Sequence, residues 1–354
     1  MPDQHDIRPQ RTKKVLVTGG SGFIGGHIAR YFVNQGLDVA CLVREKSDTR
    51  YINDLPVKFI TGDITDLKSV LAACKDMDAV VHTAAKVGDW GDYREFYEVN
   101  VTGTENVLNA ALNNKVPKVI LTGSVSSYGE EDYPGLKDES SPFNSHYKYF
   151  LDGCLPSGMN HYRDTKAACT AKAAEIAGQH NMDVIVMEPV WVYGENEFSS
   201  GFYEYLESLK SGMPFMPGSR TNQFHVIYAA DLARAYYHAF MSDLKGFHRI
   251  IIGNRQPENM FGIYCLFARE AGLREPKLLP RPVAYSAGLL LELLWTVFRV
   301  KTPPLLTRAR VNMFYDNIGY NTGKAAELIG FEASTPLSEG IAKTVKWYSD
   351  NRHL

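Results

Sequence analysis

The sequence predicts an α/β fold, a doubly wound parallel sheet followed by a smaller C-terminal α/β lobe. Two observations predict it. The run Val15 to Thr18 passes through a turn with glycines at 19, 20, 22, 25 and 26 into a helical pattern from Phe23. Short apolar runs rich in β-branched residues then recur at 38–43, 57–61, 79–83, 118–122 and 184–188, with helical stretches between them. Strands that alternate with helices in this way build a parallel sheet covered on both faces. The expected organisation is a polar tail over 1–12, a nucleotide-binding unit over 13–194, and a lobe over 195–354 that returns to the sheet near 224–254.

The first turn has a demanding geometry. A strand must end and a helix begin within a few residues, which needs backbone angles that glycine takes most cheaply. Bare backbone at a helix N-terminus also lets a pyrophosphate approach the free N–H groups. Gly19, Gly22 and Gly25, with Phe23 and Ile24 between them, are the expected cradle, and Gly25 lets the helix pack close to the strand. Gly36 then stops the first helix. An ordinary tight turn without ligand is the alternative.

The second strand, 38–43, ends at Arg44, with Lys46 nearby and Glu45 the one acid. An acid here would accept from both ribose hydroxyls and select NAD. A cation suits a 2′-phosphate, so NADP(H) is favoured over NAD(H). The plainer reading is a pair of solvated loop charges. The third strand, 57–61, runs into Gly62-Asp63-Ile64-Thr65-Asp66, where Thr65 or Asp66 can cap the next helix. Small residues Ala84 and Ala85, with Lys86, follow the fourth strand and let a backbone come near a ligand. His82 reads as a packed strand-end histidine. A helix is expected over 92–113, with Asn100 inside it in a structural role.

The fifth strand, 118–122, ends in Gly123-Ser124-Val125-Ser126-Ser127-Tyr128-Gly129. Carboxyl ends of central parallel strands are where ligands bind in such sheets. Further on, Tyr162-Arg163-Asp164-Thr165-Lys166 is expected to open an alanine-rich helix. Tyr162 and Lys166, at i and i+4, share a helix face. An ammonium beside a phenol favours the phenolate and makes it a usable acid and base near neutrality. A serine hydroxyl at the strand end can hydrogen-bond a substrate oxygen. Ser124, Ser126, Ser127 and Thr122 are the candidates for it.

Bulk composition narrows the class. The 354 residues are 45% hydrophobic and 22% charged, an ordinary globular balance. A net charge of −2 gives no argument for nucleic acid. Five scattered cysteines without C-x-x-C spacing read as a reduced, cytoplasmic protein with no metal site. Residues 1–14 are polar and do not resemble a signal peptide. The stretch 130–160, rich in Pro, Gly, Ser and aromatics, reads as a mobile flap over the substrate or as a surface insertion.

The spacing T-G-x-x-G-x-x-G, with HTAA at 82–85, the serine phrase S-x-x-x-Y-G, Y-x-x-x-K, and PVWVYG at 189–194, resembles the extended branch of the short-chain dehydrogenase/reductase superfamily. The resemblance runs over about 13–350 and implies a Rossmann-type sheet with a C-terminal substrate lobe. It also implies that Asp63 contacts the adenine amino group while Ile64 packs on the ring, and that Pro189 to Val192 border the nicotinamide. Ser124, Tyr162 and Lys166 become the catalytic set, with Tyr162 and Lys166 also touching the cofactor. Asp231, in FHVIYAADLARA, is expected to cap the helix that follows. Aromatics over 198–224 (Phe198, Phe202, Tyr203, Tyr205 and Phe215, with Met216) are expected on the substrate side.

The segment AAKVGDWGDYREFYEVNVTGT (84–104) and the tail from PLLTRARVNMF onward are similar to the 3β-hydroxysteroid dehydrogenase-like branch. That implies a ketone or secondary alcohol on an apolar substrate, steroid-like or a long-chain β-keto acid, and a homodimer. Residues 283–300, VAYSAGLLLELLWTVFRV, are apolar nearly all round, with Glu292, Thr296 and Arg299 at i, i+4 and i+7. An in-plane helix at a membrane surface fits this pattern. A buried helix or a dimer surface is the alternative. Two rivals remain at this stage. One is a nucleotide-sugar epimerase or dehydratase, with Arg220 and Arg255 for a second pyrophosphate. The other is a non-catalytic NADP-sensing regulator, a class that typically loses the Tyr–Lys pair.

Overall fold

A seven-stranded parallel sheet runs through the computed structural model, which describes residues 12–129, 132–198 and 201–354. Its strands are β1 (Lys14–Thr18), β2 (Asp38–Val43), β3 (Lys58–Thr61), β4 (Ala79–His82), β5 (Val119–Thr122), β6 (Val184–Pro189) and, much later in the chain, β11 (Phe247–Ile252). The order is β11-β6-β5-β4-β1-β2-β3. The chain winds outward from β1 in both directions, so a crevice opens at the carboxyl ends beside it, where doubly wound sheets take ligands. The register puts those ends in line: Thr18 lies beside Leu42 and His82, His82 beside Leu121, and Thr122 beside Met187. The glycine turn, Ala84, Ser124 and Pro189 therefore share one edge.

Side chains on a strand alternate between faces, and both faces here are covered. Val15, Val17 and Ile120 meet α1 (Phe23–Asn34) and α7 (Ala229–Met241) through Ile28, Phe32, Ala233 and Tyr236. Leu16, Val80 and Leu121 meet α4 (Gly103–Asn113) and α5 (Gly158–His180) through Val107, Leu108, Ala173 and Ile176. Double burial explains why these strands read as continuous apolar runs.

The remaining elements complete the sheet's flanks and build the smaller lobe. Helices α2 (Leu67–Ala73) and α3 (Tyr93–Phe96) precede α4. Between β6 and β11 come β7 (Trp191–Tyr193), α6 (Phe202–Lys210), β8 (Phe215–Pro217), β9 (Gln223–Phe224) and β10 (Val226–Tyr228). After β11 come β12 (Glu258–Asn259), α8 (Met260–Glu270), β13 (Lys277–Leu279), α9 (Arg281–Val297), α10 (Arg308–Tyr315), α11 (Gly323–Ile329) and α12 (Leu337–Asp350). The lobe's strands pair in twos, β7 with β10, β9 with β12, and β8 with β13.

Several expectations need correction. The helical rod over 93–113 is not uniform, because Tyr97–Thr102 form a wide π turn between α3 and α4. Helix α5 begins four residues before Tyr162, at Gly158, where a Cβ would lie 2.4 Å from the Asp89 carbonyl oxygen. Asp66, not Thr65, caps α2, accepting from the Lys68 N–H at 3.1 Å. Asp231 does not cap α7; Tyr228 holds that position. Its carboxylate instead accepts from the Thr335 N–H at 2.8 Å and pairs with Arg234 at 2.7 Å, tying α7 to the loop before α12. Phe202 is core, stacked on Phe267 at 4.7 Å, and Phe198 and Tyr203 pack on Tyr348. The apolar helix ends at Val297, short of 300. The opening residues 1–11, most of the expected tail, lie outside the described residues.

Candidate active site

Gly19 has φ of +71°, and its carbonyl accepts from the Gly22 N–H at 2.9 Å, which turns β1 into α1. A Cβ on Gly19 would lie 2.7 Å from the Ala84 nitrogen, and one on Gly25 would lie 2.2 Å from the Gly19 oxygen. Neither position admits a side chain. No side chain caps α1, whose N-cap is Gly22, and its first turn holds no acid. The leading N–H groups at Phe23, Ile24 and Gly25 thus form an anion site with partial positive charge. This cradle fits the pyrophosphate of a nicotinamide dinucleotide.

At the end of β2, Arg44 is exposed and has no ion-pair partner among the described residues. Its N–H donates to Ser47 Oγ at 3.0 Å. Asp63 uses one carboxylate oxygen to hold its own turn, accepting from the Thr65 N–H and hydroxyl, both at 2.9 Å. Ile64 is buried against Gly103 of α4, where a Cβ would lie 2.7 Å from Ile64 Cδ1.

Beyond β4, His82 is held between Thr18 Oγ1 at 2.7 Å and Thr104 Oγ1 at 3.1 Å. Burial, with Lys166 adding to it, pushes its pKa down to about 3, so it is neutral and structural. Asn100, on the π turn, reads the main chain of Lys86 from both sides. Its Oδ1 accepts from the Lys86 N–H at 2.7 Å, and its Nδ2 donates to the Lys86 carbonyl and to Thr165 Oγ1, each at 3.1 Å. Cys169 Sγ donates to the Asn100 carbonyl at 3.0 Å. Asn100 is therefore structural as expected, but its task is to hold the 84–86 backbone against α5. The Lys86 ammonium pairs with Glu95 at 2.8 Å, so Ala84, Ala85 and Lys86 offer the cleft main chain.

The catalytic candidates come from β5 and α5. Lys166 is 5% exposed and donates to the Thr122 carbonyl at 2.7 Å. Burial lowers its pKa from the usual lysine value. Tyr162 is half-buried one turn earlier and packs with Tyr147 against Tyr149, Met159 and Ala309. Ser124 Oγ lies 2.8 Å from Ser126 Oγ and accepts from the Ser126 N–H at 3.2 Å. Thr122 Oγ1 is bonded to Tyr236 OH at 2.7 Å. Ser127 is fully buried.

Pro189 and Val192 are buried at the end of β6 and in β7. Beside them Glu188 is fully buried. It pairs with Arg249 at 3.0 Å and accepts from Tyr128 OH at 2.6 Å. Desolvation raises its pKa, with Arg249 opposing. Arg220 is stacked over Phe261 at 4.8 Å.

The described part of 130–160 is pinned in several places. Lys137 donates to the Tyr128 carbonyl at 2.8 Å. His146 bridges Asp164 at 2.8 Å and Asp152 at 3.1 Å. Arg163, buried, donates to Tyr149 OH at 2.9 Å. The residues that sequence reasoning passed over are Thr165, Cys169, Arg163 and Arg308. Only the i+3 spacing of Thr165 from Tyr162 and of Cys169 from Lys166 hinted at the first two. Among the described residues no cluster of three or more His, Cys, Asp or Glu could hold a metal ion.

Comparison with known proteins agrees with this arrangement. Residues 15–253 match the pattern of the NAD dependent epimerase/dehydratase family. A 2-alkyl-3-oxoalkanoate reductase of Stenotrophomonas maltophilia is 26% identical over 93% of this chain and 98% of its own length. A decarboxylating sterol-4-alpha-carboxylate 3-dehydrogenase of Candida albicans is 25% identical over 96% and 98%. The solved structure of a UDP-galactose 4-epimerase, 20% identical, covers 96% of this chain and 99% of its own with a TM-score of 0.72, a likeness of fold. The chain belongs to the NAD dependent epimerase/dehydratase family, in the extended short-chain dehydrogenase/reductase group, and is an enzyme of the NAD(P)-dependent oxidoreductase class.

Proposed function

We propose that this enzyme interconverts a ketone and a secondary alcohol on an apolar substrate, steroid- or sterol-like or a long-chain β-keto acid, with NADP(H) as the favoured cofactor. The observation that carries this reading is the apolar setting of Tyr162, packed with Tyr147 against Tyr149, Met159 and Ala309. A sugar nucleotide would want polar and cationic partners there. Relatives named as reductases of alkyl-oxoalkanoates and as sterol dehydrogenases support it.

When bound, the dinucleotide supplies or accepts the hydride. The chain's own groups do the rest. Ser124 donates to the reacting oxygen and orients it. Tyr162 gives that oxygen its proton in reduction and takes it back in oxidation. Lys166, a cation at the base of the site, favours the tyrosinate that is left. The glycine turn, with Arg44, Asp63 and the 84–86 backbone, holds the dinucleotide along the sheet edge.

The test is NADPH absorbance against a panel of long-chain β-keto acids and ketosteroids, with UDP-sugars beside them. Oxidation of NADPH by one of the apolar ketones supports the reading. Conversion of a UDP-sugar without net change in cofactor, and no loss of NADPH with any ketone, overturns it in favour of an epimerase.

A further inference from the structure

The turn that carries Ser124 is local in sequence but held from far away. Ser124 opens it with extended backbone, Val125–Tyr128 make one 3₁₀ turn, and Gly129 ends it at φ of +81°. Inside the turn, the Ser127 N–H donates to the Ser124 carbonyl at 3.2 Å and the Gly129 N–H to the Ser126 carbonyl at 3.1 Å. Distant residues take the remaining carbonyls. Tyr320 OH donates to that of Val125 at 3.2 Å, and the Asn144 N–H to that of Ser127 at 3.0 Å. The Lys137 ammonium donates to those of Tyr128 at 2.8 Å and Gly129 at 3.0 Å. A buried carbonyl without a partner is costly, so these bonds are what let an irregular turn stay buried at the sheet edge.

The Tyr128 side chain adds a second anchor. Its OH donates to Glu188 Oε2 at 2.6 Å and accepts from Arg249, while Arg249 Nε donates to Glu188 Oε1 at 3.0 Å. The turn, β6 and β11 are thus joined by a closed ring of hydrogen bonds. Phe143 covers that ring, 4.2 Å from the guanidinium and edge-on to Tyr128 at 5.2 Å. Glu188 lies directly against Gly123, where a Cβ would come 2.9 Å from Glu188 Cγ. A buried ion pair adds little net stability over apolar residues of the same size. It does supply short, directional bonds. None of these three side chains has a part in the proton transfer from Tyr162.

We propose that Tyr128, fixed by Glu188 and Arg249, is a positioning residue that sets the place of the Ser124 hydroxyl. Ser124 Oγ accepts from the Ser126 N–H at 3.2 Å and lies 2.8 Å from Ser126 Oγ. With Ser126 as the donor in both bonds, Ser124 keeps its own proton for the reacting oxygen. That arrangement holds only while the 3₁₀ turn keeps its shape, and Tyr128 is the residue that ties the turn to the sheet. The inference rests on the reading that Ser124 orients the reacting oxygen, and not on which substrate carries that oxygen.

The test is a double-mutant cycle on kcat, run with whichever ketone or UDP-sugar of the panel is turned over. Ser124→Ala should lower kcat about 10²- to 10³-fold, the range for one lost donor to a developing charge. Tyr128→Phe removes one hydroxyl and keeps the ring. It should lower kcat about tenfold through misplacement of Ser124, with NADPH binding by fluorescence nearly unchanged. Placed on Ser124→Ala, it should cost less than about twofold more, because the two act as one unit. Tyr320→Phe takes the donor from the Val125 carbonyl and should show the same pattern with a smaller loss. It carries the test if Tyr128→Phe does not fold. Amide exchange at Ser127 and Gly129 should quicken in both tyrosine variants. Wild-type kcat in the tyrosine variants beside a slow Ser124→Ala, or losses that multiply with that of Ser124→Ala, overturn the positioning role. Full activity in Ser124→Ala overturns instead the reading of Ser124 on which it rests.

Discussion

Lys166 Nζ donates to the main-chain carbonyl of Thr122 at 2.7 Å, joining α5 to the last residue of β5. A backbone carbonyl cannot take a proton from it, so the bond positions the charge without neutralising it. In the proposed reaction Tyr162, one turn earlier, supplies the proton that moves. Tyr162→Phe should lower kcat about 10²- to 10⁴-fold, the range for loss of one positioned acid/base group. NADPH binding, followed by fluorescence, should stay nearly intact. Full activity in the Phe variant would remove Tyr162 from the reaction.

Arg44 stands alone at the end of β2, and its selectivity is testable without knowing the reaction's direction. A guanidinium on a phosphate is a charge-assisted contact worth about 1.5–3 kcal/mol. Arg44→Asp should therefore reduce the NADPH over NADH ratio of kcat/KM by about ten- to a hundredfold. An unchanged ratio would return Arg44 to the solvated surface.

How much of this site could be read from sequence depended on how local each feature is. The glycine turn, the strand-end serines and the Tyr–Lys spacing are each set by a few consecutive residues; the first two share the sheet edge, and Lys166 reaches it through the Thr122 carbonyl. The scaffold behind them was not legible. Asn100 and Thr165 are 65 residues apart, and nothing near either one announces their bond or the π turn. Asp231 looked like a cap because it precedes an apolar helical pattern, yet its helix had already begun at Ala229. Spacing put Glu292 on one face with Thr296 and Arg299, but helical periodicity shows which residues share a face, not which face is buried. Its partner Arg308 settles that.

His146 offers a pH-dependent measurement. Both ring nitrogens face carboxylates, which requires the imidazolium, and the bond to Asp164, with help from Asp152, raises its pKa. The unfolded value is about 6.5. A folded pKa above the unfolded one contributes stability that is complete below the unfolded pKa and fades as pH rises through the folded value. His146 is largely exposed, so the solvent-screened contribution is at most about 0.5–1 kcal/mol. His146→Gln should therefore melt earlier than wild type at pH 5.5 and converge with it at pH 9, by differential scanning fluorimetry. Equal gaps at both values would make the role purely steric.

The pair between Glu292 and Arg308 predicts a large loss from one substitution and little from two. Both side chains are buried, so removing the carboxylate leaves a guanidinium with no countercharge. Breaking a buried pair in this way costs about 3–5 kcal/mol, while replacing both partners with apolar residues is often neutral. Glu292→Ala should lower the urea midpoint strongly, and Glu292→Leu with Arg308→Met should recover most of it. The double variant still lacks the donors that hold the Phe150 and Leu155 carbonyls. Amide exchange over 149–155 should therefore stay fast even where global stability returns. If exchange there recovered with the urea midpoint, the loop would owe its position to something other than Arg308.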